Sequence, residues 1–204
     1  MNYKVALFDF DDTLLKKDSI FHLLVYYTKK HPLAIFQWVK IGFYFILYGV
    51  RIISFLSVKQ QILYPIKKMS QEQLREFYQN DLIPRYYPHV VERMKKHKKD
   101  GYIIFLVSAS PEAYLFETDL PVDYIIGTKL KKENRRFTNI IISKNCKHQE
   151  KVVRINEVLI NENIVIDYDH SYGYSDSTTD LPMLELVKHK VRIDKKDGSF
   201  ATFD

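Results

Sequence analysis

The chain predicts an α/β fold: a three-layer core on a mostly parallel sheet, with a helical subdomain inserted early. Three observations predict it. Short apolar runs at residues 4–10 and 102–107 read as strands buried on both faces. They alternate with stretches of helical periodicity, which implies parallel strands joined by crossover helices. Acid- and hydroxyl-rich clusters follow the strands directly, at the edge where open α/β sheets hold their ligands. With 204 residues, 46 % of them apolar, the chain suffices for one such core plus a small subdomain.

The first strand, residues 4–10, runs straight into Asp9, Asp11, Asp12 and Thr13. Like charges crowded at a strand end repel and shift one another's pKa values, so they persist where a cation or a proton transfer uses them. Mg2+ takes such oxygen ligands and leaves positions open for water and phosphate, and an Asp carboxylate can itself be a nucleophile. The blander reading is an acidic loop in which Asp12 or Thr13 caps a helix.

Residues 21–84 break the alternation. They are long, helical in pattern and inserted straight after the acidic loop, which predicts a cap over the site. Within them, residues 33–55 carry charges only at Lys40 and Arg51. As one helix this stretch would reach roughly 35 Å, about the hydrocarbon thickness of a bilayer. Three readings stay open: a packed cap helix, an interfacial helix in one leaflet, and a span. The two charges cut the uncharged run to about ten residues, short of the ~20 of a span. Lys29, Lys30, Lys59, Lys67 and Lys68 flank it, and Gly42 or Gly49 would break it.

The second strand, 102–107, ends in Ser108-Ala109-Ser110, small hydroxyl residues able to hold a phosphate oxygen. Residues 122–142 predict a strand, a basic connection at 131–136 and a returning strand at 137–142. Residues 147–160 have helical spacing through Val152, Ile155, Val158 and Leu159, with Lys151 placed to bring an ammonium to a phosphate. A strand at 172–174 ends in Asp176 and Asp180, four residues apart. A helix over 181–187 with Pro182 in its first turn and a strand at 190–193 complete the pattern. The pair Asp167 and Asp169 lacks a following Thr and reads as connector.

The formal charge of +6 and pI near 9.1 are concentrated at residues 93–99 and 129–136. Such runs form solvated faces or attract anionic headgroups. No nucleic-acid-binding signature accompanies them, so no nucleic acid is expected. A single cysteine, Cys146, excludes an internal disulfide, and the histidines lack paired metal-ligand spacing, which argues against zinc. The start lacks the pattern of a signal peptide. A cytoplasmic protein is expected, with peripheral association to the inner face of the cell membrane as an extension of the apolar-segment readings.

The ordered set Asp9, Asp11 and Thr13, then Ser108, Lys151, and Asp176 with Asp180, resembles the four motifs of the haloacid dehalogenase superfamily of aspartyl-phosphate phosphatases. The insertion resembles the helical, C1-type cap of the phosphoserine-phosphatase-like subfamily. The resemblance implies a Rossmann-like core at 1–16 and 86–204 with a cap at 17–85. It further implies a phosphomonoesterase in which Asp9 attacks phosphorus and Asp11 serves as acid and then base. Mg2+ would be held by the Asp9 carboxylate, the Asp11 backbone carbonyl and Asp176. Ser108 and Lys151 would hold the phosphoryl oxygens, with Thr13 and Asp180 in support. Asp18 stands nine residues after Asp9, where phosphoserine phosphatases grip the substrate amino group, whereas Ile62 falls near the place of their carboxylate-binding arginine.

Glu150-Lys151-Val152 and the Gly-Tyr-Ser-Asp-Ser run at 173–177 are similar to the small bacterial phosphatidylglycerophosphatases of this superfamily. The implied substrate is a lipid phosphate monoester or a small soluble phosphate ester, the latter in the manner of a phosphoserine-phosphatase-like enzyme. The non-enzymatic alternatives are a phosphoacceptor and a membrane-surface binding protein. Asp11, in the position of a proton shuttle, speaks against simple phosphate storage. The oligomeric state is not encoded in any of these features.

Overall fold

A computed structural model describes residues 2–203, and in it the alternation becomes one six-stranded sheet. In chain order, β1 (Asn2–Tyr3) and β2 (Val5–Phe8) precede α1 (Ser19–Lys30), α2 (Ile35–Gly49), α3 (Phe55–Ile62), α4 (Tyr64–Lys68) and α5 (Gln71–Phe77). Then come α6 (Pro88–Lys99), β3 (Ile103–Pro111), α7 (Glu112–Leu115), β4 (Tyr124–Thr128), β5 (Leu130–Glu133) and β6 (Arg136–Ile141). The chain closes with α8 (Gln149–Asn161), β7 (Val165–Ile166), β8 (Tyr172–Ser175), α9 (Leu181–Leu184), β9 (His189–Ile193) and β10 (Phe200–Thr202).

The sheet order is β10-β9-β8-β2-β3-β4, parallel throughout except for the β10–β9 edge. All four residues of β2 are buried because helices cover both faces, and this is why the run shows no polar alternation. Ala6 and Phe8 face Val90 and Met94 of α6, while Val5 and Leu7 face Ile155 and Leu159 of α8 with Met183 and Leu184 of α9. Each large side chain so buried contributes about 1.5–3 kcal/mol. From β2 the chain winds outward through β3 and β4, then returns to the other side for β8 and β9. The reversal leaves a crevice at the carboxyl end of β2.

Register fixes what meets there. Phe8 pairs with Leu106 on one side and with Tyr174 on the other. Asp9 follows Phe8 directly and Ser108 and Asp176 stand two residues beyond Leu106 and Tyr174, so all three emerge at the carboxyl ends of neighbouring strands.

The helical segment packs over that crevice on a core continuous with the sheet. Phe10, at the end of the first motif strand, stacks on Tyr78 at a centroid distance of 6.2 Å, and Leu23, Leu74 and Phe77 join the same cluster. Ser70 and Gln73 form a capping box at the start of α5, satisfying two otherwise free N–H groups. The two crossing points lie together: Lys16 N–H donates to the Arg85 carbonyl at 3.0 Å and Tyr87 N–H to the Leu14 carbonyl at 2.9 Å.

Two expectations are corrected and one open alternative is resolved. Residues 131–136 are not a connection: they form the turn and inner ends of the β5–β6 hairpin, with Asn134 and Arg135 at φ +49° and +63°. Residues 33–55, open between one helix and two, contain α2 and the start of α3. Helix α2 ends at Gly49, Arg51 takes φ +61°, the Ile52 N–H closes back on the Leu47 carbonyl, and α3 restarts after Ser54. Gly42 stays inside α2. The third helix expectation, 181–187, shortens to the single turn of α9.

His97 of α6 is buried among Tyr102, Tyr172 and Tyr174, with Nε2 2.6 Å from the Tyr174 hydroxyl. Burial, helped by nearby Arg93, pushes its imidazole down to about 4. Between pH 6.5 and 4 the unfolded chain therefore binds a proton that the folded chain refuses, and stability falls as pH drops through that window. His97→Gln, which keeps a hydrogen-bonding group but cannot titrate there, is expected to flatten this part of the stability–pH curve relative to wild type in urea titrations.

Candidate active site

Asp9 leaves β2 with its N–H on the Tyr174 carbonyl at 3.0 Å, so the sheet itself aims it. The next residues coil tightly. The Phe10 carbonyl accepts from the N–H groups of Thr13, Leu14 and Leu15, and Asp12 takes φ +57° to make the reversal. The coil returns Asp11 and Thr13 to the crevice.

Asp9 Oδ1 lies 2.6 Å from Lys151 Nζ, which lies 2.8 Å from Asp180 Oδ2. Lys151 stands in the first turn of α8 and is 2 % exposed, so this is a buried carboxylate–ammonium–carboxylate triad. Burial alone would depress the Lys151 ammonium, but Asp9 and Asp180 more than offset it and raise its pKa. Burial also pushes Asp9 up to about 7, against the pull of Lys151. Asp180 Oδ2 takes a second hydrogen bond, from Ser175 Oγ at 2.8 Å.

Thr13 ties the first motif to the fourth. Its Oγ1 lies 3.3 Å from both Asp9 Oδ2 and Asp176 Oδ1, and it accepts from the Asp176 N–H at 3.0 Å.

Asp11 is held by three donors: Ser19 N–H at 2.6 Å, Ser110 Oγ at 2.6 Å and Ser108 Oγ at 3.3 Å. Burial, reinforced by the negative charge of Asp18, pushes its carboxyl up to about 6. Because the Ser110 proton is committed to Asp11, the Ser19 hydroxyl 2.7 Å away must donate to Ser110 and accept from Tyr114, also at 2.7 Å. A relay from Tyr114 through α1 thus ends on Asp11.

The oxygen-only set of Asp9 and Asp176 fits a hard divalent cation, which takes one or two carboxylates and completes its shell with backbone and water oxygens. A cation is already drawn there: Lys195 Nζ lies 2.8 Å from Asp176 Oδ2 and 3.9 Å from Asp12 Oδ2. Among the described residues no group of three His, Cys, Asp or Glu side chains converges as a metal site, so a cation held by Asp9 and Asp176 would take its remaining ligands from backbone or water oxygens.

These groups sit at one end of a cavity of about 670 Å³ whose opposite wall includes Leu24, Trp38, Ile41, Phe45, Phe55 and Ile62. Asp18 and Ser108 also line it. Asp18 is simultaneously the N-cap of α1, accepting from the Phe21 N–H at 2.9 Å.

Sequence reasoning placed Lys59 as a flanking surface charge, and this is wrong. Lys59 is 4 % exposed, lines the cavity, and donates from α3 to the Ala109 carbonyl at 2.6 Å, to Thr128 Oγ1 at 3.1 Å and to Asn145 Oδ1. Burial, with Lys147 adding repulsion, pulls its ammonium down to about 8. One signal was available: Phe55, Lys59 and Ile62 share a helix face, so the lysine interrupts an apolar stripe. Ser19, Tyr114 and Lys195 carry no such signal, and Ser110, expected near a phosphate oxygen, instead donates to Asp11. Lys59→Met removes three hydrogen bonds, leaving the Ala109 carbonyl only its donor Thr128 Oγ1 at 2.6 Å, and is expected to cost about 1–3 kcal/mol of stability in urea denaturation.

The family profile described as haloacid dehalogenase-like hydrolase matches residues 6–185. A histidinol-phosphatase of Neisseria meningitidis is 29 % identical over 141 residues, 63 % of this chain and 62 % of that protein. A probable phosphatase of Mycobacterium tuberculosis is 31 % identical over 108 residues, 52 % of this chain and 37 % of that protein. The chain thus matches less than two thirds of the length of these relatives. Among solved structures, a Bordetella pertussis protein of unknown function has a TM-score of 0.77 at 24 % identity, covering 95 % of this chain and 91 % of that one. A phosphoserine phosphatase in apo form has a TM-score of 0.61 at 17 % identity, covering 93 % and 85 %. These likenesses are of fold.

Proposed function

We propose, from the premise that the chain belongs to the haloacid dehalogenase-like hydrolases, that it is a Mg2+-dependent phosphomonoesterase working through an aspartyl phosphate on Asp9. The single observation that carries this reading is the buried triad, in which one lysine holds Asp9 at 2.6 Å while Asp180 holds the lysine at 2.8 Å.

In the first half-reaction an Asp9 carboxylate oxygen bonds to phosphorus as the ester P–O bond breaks, and the departing alkoxide takes the Asp11 proton. In the second, ionised Asp11 takes a proton from water as the water oxygen bonds to phosphorus. Asp9 leaves as a carboxylate and inorganic phosphate is released. A carboxyl raised to about 6 suits both duties near neutral pH. The Lys151 ammonium and the Ser108 hydroxyl supply donors for the phosphoryl oxygens. Asp9, Asp176 and the Asp11 backbone carbonyl would hold Mg2+, which would supply charge neutralisation at the phosphoryl group.

The apolar cavity wall favours a substrate with an apolar body, a lipid phosphate such as phosphatidylglycerophosphate. Lys59 supports a second reading, a small soluble ester carrying another anionic group, because it brings a cation into the same cavity. Phosphoserine fits less well: the Asp18 carboxylate is engaged by α1, and Ile62 offers no charge to a substrate carboxylate.

The test is phosphate release from a panel of lipid phosphates, phosphoserine, sugar phosphates and nucleotides. Wild type is expected to release phosphate only with Mg2+, losing activity in EDTA and regaining it on Mg2+ addition. Asp9→Asn is expected to lower turnover at least about a thousandfold. Release that survives Asp9→Asn would contradict the reading, and the preferred panel member separates the lipid from the soluble substrate.

A further inference from the structure

Helix α2 has two apolar stripes, and only one is used by the fold. Trp38, Ile41 and Phe45 face the cavity. Phe36, Val39, Phe43, Ile46 and Val50 follow alternating three- and four-residue steps along another stripe and remain 56–72 % exposed. Leu33 before the helix and Ile52 after it extend this surface at 81 % and 69 % exposure. Water-facing aromatic and branched side chains on successive turns mark an interaction surface.

The charges around the stripe say what covers it. Residues 19–71 contain seven Lys or Arg and not one Asp or Glu; Lys59 among them is buried in the cavity and Lys30 pairs with Glu76 at 3.4 Å, while the others remain basic without an acidic neighbour in this segment. Lys29 and Lys30 close α1 just before α2, Arg51 follows its end, and Lys40 lies along it, its ammonium 5.8 Å from the Tyr44 ring. A second copy of this chain would set these cations against their like. An anionic headgroup layer complements them, and the long basic stems can lie along the apolar surface while their heads reach phosphate.

We propose that the exposed stripe of α2 docks into one leaflet of a bilayer containing anionic phospholipid, with Lys40, Arg51 and the end of α1 at headgroup level. Docked this way, α2 stands between the leaflet and the cavity. The helix lies on the membrane and does not cross it. With the turn Pro32–Ala34 that leads into it, the helical run Pro32–Gly49 reaches about 28 Å against the ~30 Å of a hydrocarbon core, so its ties to the cap and not its length set it on the surface. One flank is tied to the cap, through Trp38 Nε1 donating to Thr28 Oγ1 at 3.0 Å and Gln37 Nε2 to the Gln61 carbonyl at 3.2 Å. The inference does not depend on the hydrolytic reading.

Flotation of the full chain with vesicles tests it. Wild type is expected to float with vesicles of equal parts phosphatidylcholine and phosphatidylglycerol, and at least about tenfold less with phosphatidylcholine alone or at high salt. Phe36→Asp with Ile46→Asp is expected to abolish flotation without changing the circular dichroism spectrum, since both side chains already face water. Lys40→Gln with Arg51→Gln, which keeps the apolar stripe, should weaken it, and Asp9→Asn should float as wild type does. Four results would overturn the proposal: no flotation of wild type; equal flotation of the Asp double variant; retention after alkaline carbonate washing, which marks a span; and a dimer in solution that the same variant dissociates.

Discussion

The buried ion triad of Asp9, Lys151 and Asp180 is the constraint around which the molecule is arranged. An ammonium held between two carboxyl groups away from water carries a desolvation cost that only close geometry offsets, and removing one partner leaves the buried charge uncompensated. Each member therefore needs a rigid mount. Asp9 has the central strand of the sheet, Lys151 the first turn of α8, and Asp180 the turn after β8. The apolar faces of β2 hold these mounts together: Val5 and Leu7 pack against α8, and the Phe8–Tyr174 register seats β8. Two carboxylates to one ammonium leave the triad net negative. With Asp176 beside it, the crevice attracts cations, as the reach of Lys195 into it illustrates.

The helical segment is coupled to this centre by polar as well as apolar contacts. Ser19 is the first residue of α1, yet its N–H and hydroxyl both serve the hydrogen-bond network that positions Asp11. Lys59 makes the second link, carrying a charge from α3 to core carbonyl, hydroxyl and amide oxygens. Any movement of the segment away from the sheet would strip donors from Asp11 and acceptors from Lys59 together. Asp11 and the cavity wall are thus mechanically linked through this segment. The segment also carries the exposed stripe of α2 on its outer side.

Much of this was legible along the chain because it is local. An apolar run ending in Asp-x-Asp-x-Thr reports a buried strand and its mouth in ten residues, and Ser108, Lys151, Asp176 and Asp180 stand where strand ends and a helix start place them. What stayed hidden depends on residues far apart in sequence. Ser19 meets Ser110 across 91 positions, and Lys59 meets Asn145 across 86, with nothing in either segment to announce the partner. The hairpin at residues 130–141 was misread because its lysines and arginines mask the strand pattern. Its left-handed turn sits at Asn134-Arg135 without a glycine to mark it. The break after Gly49 was weighed but not chosen, since the apolar pattern continues through it.

Trapping the acyl phosphate tests whether Asp9 is the carboxylate that accepts the phosphoryl group. Wild type would be mixed with a turned-over phosphate ester, quenched, and reduced with borohydride, which converts a phosphorylated aspartate into homoserine. Peptide mass spectrometry would then locate the change. The account predicts homoserine at position 9 alone, dependent on substrate. Homoserine at another carboxylate, or turnover with none trapped at position 9 under conditions that trap a reference aspartyl phosphate, would contradict it.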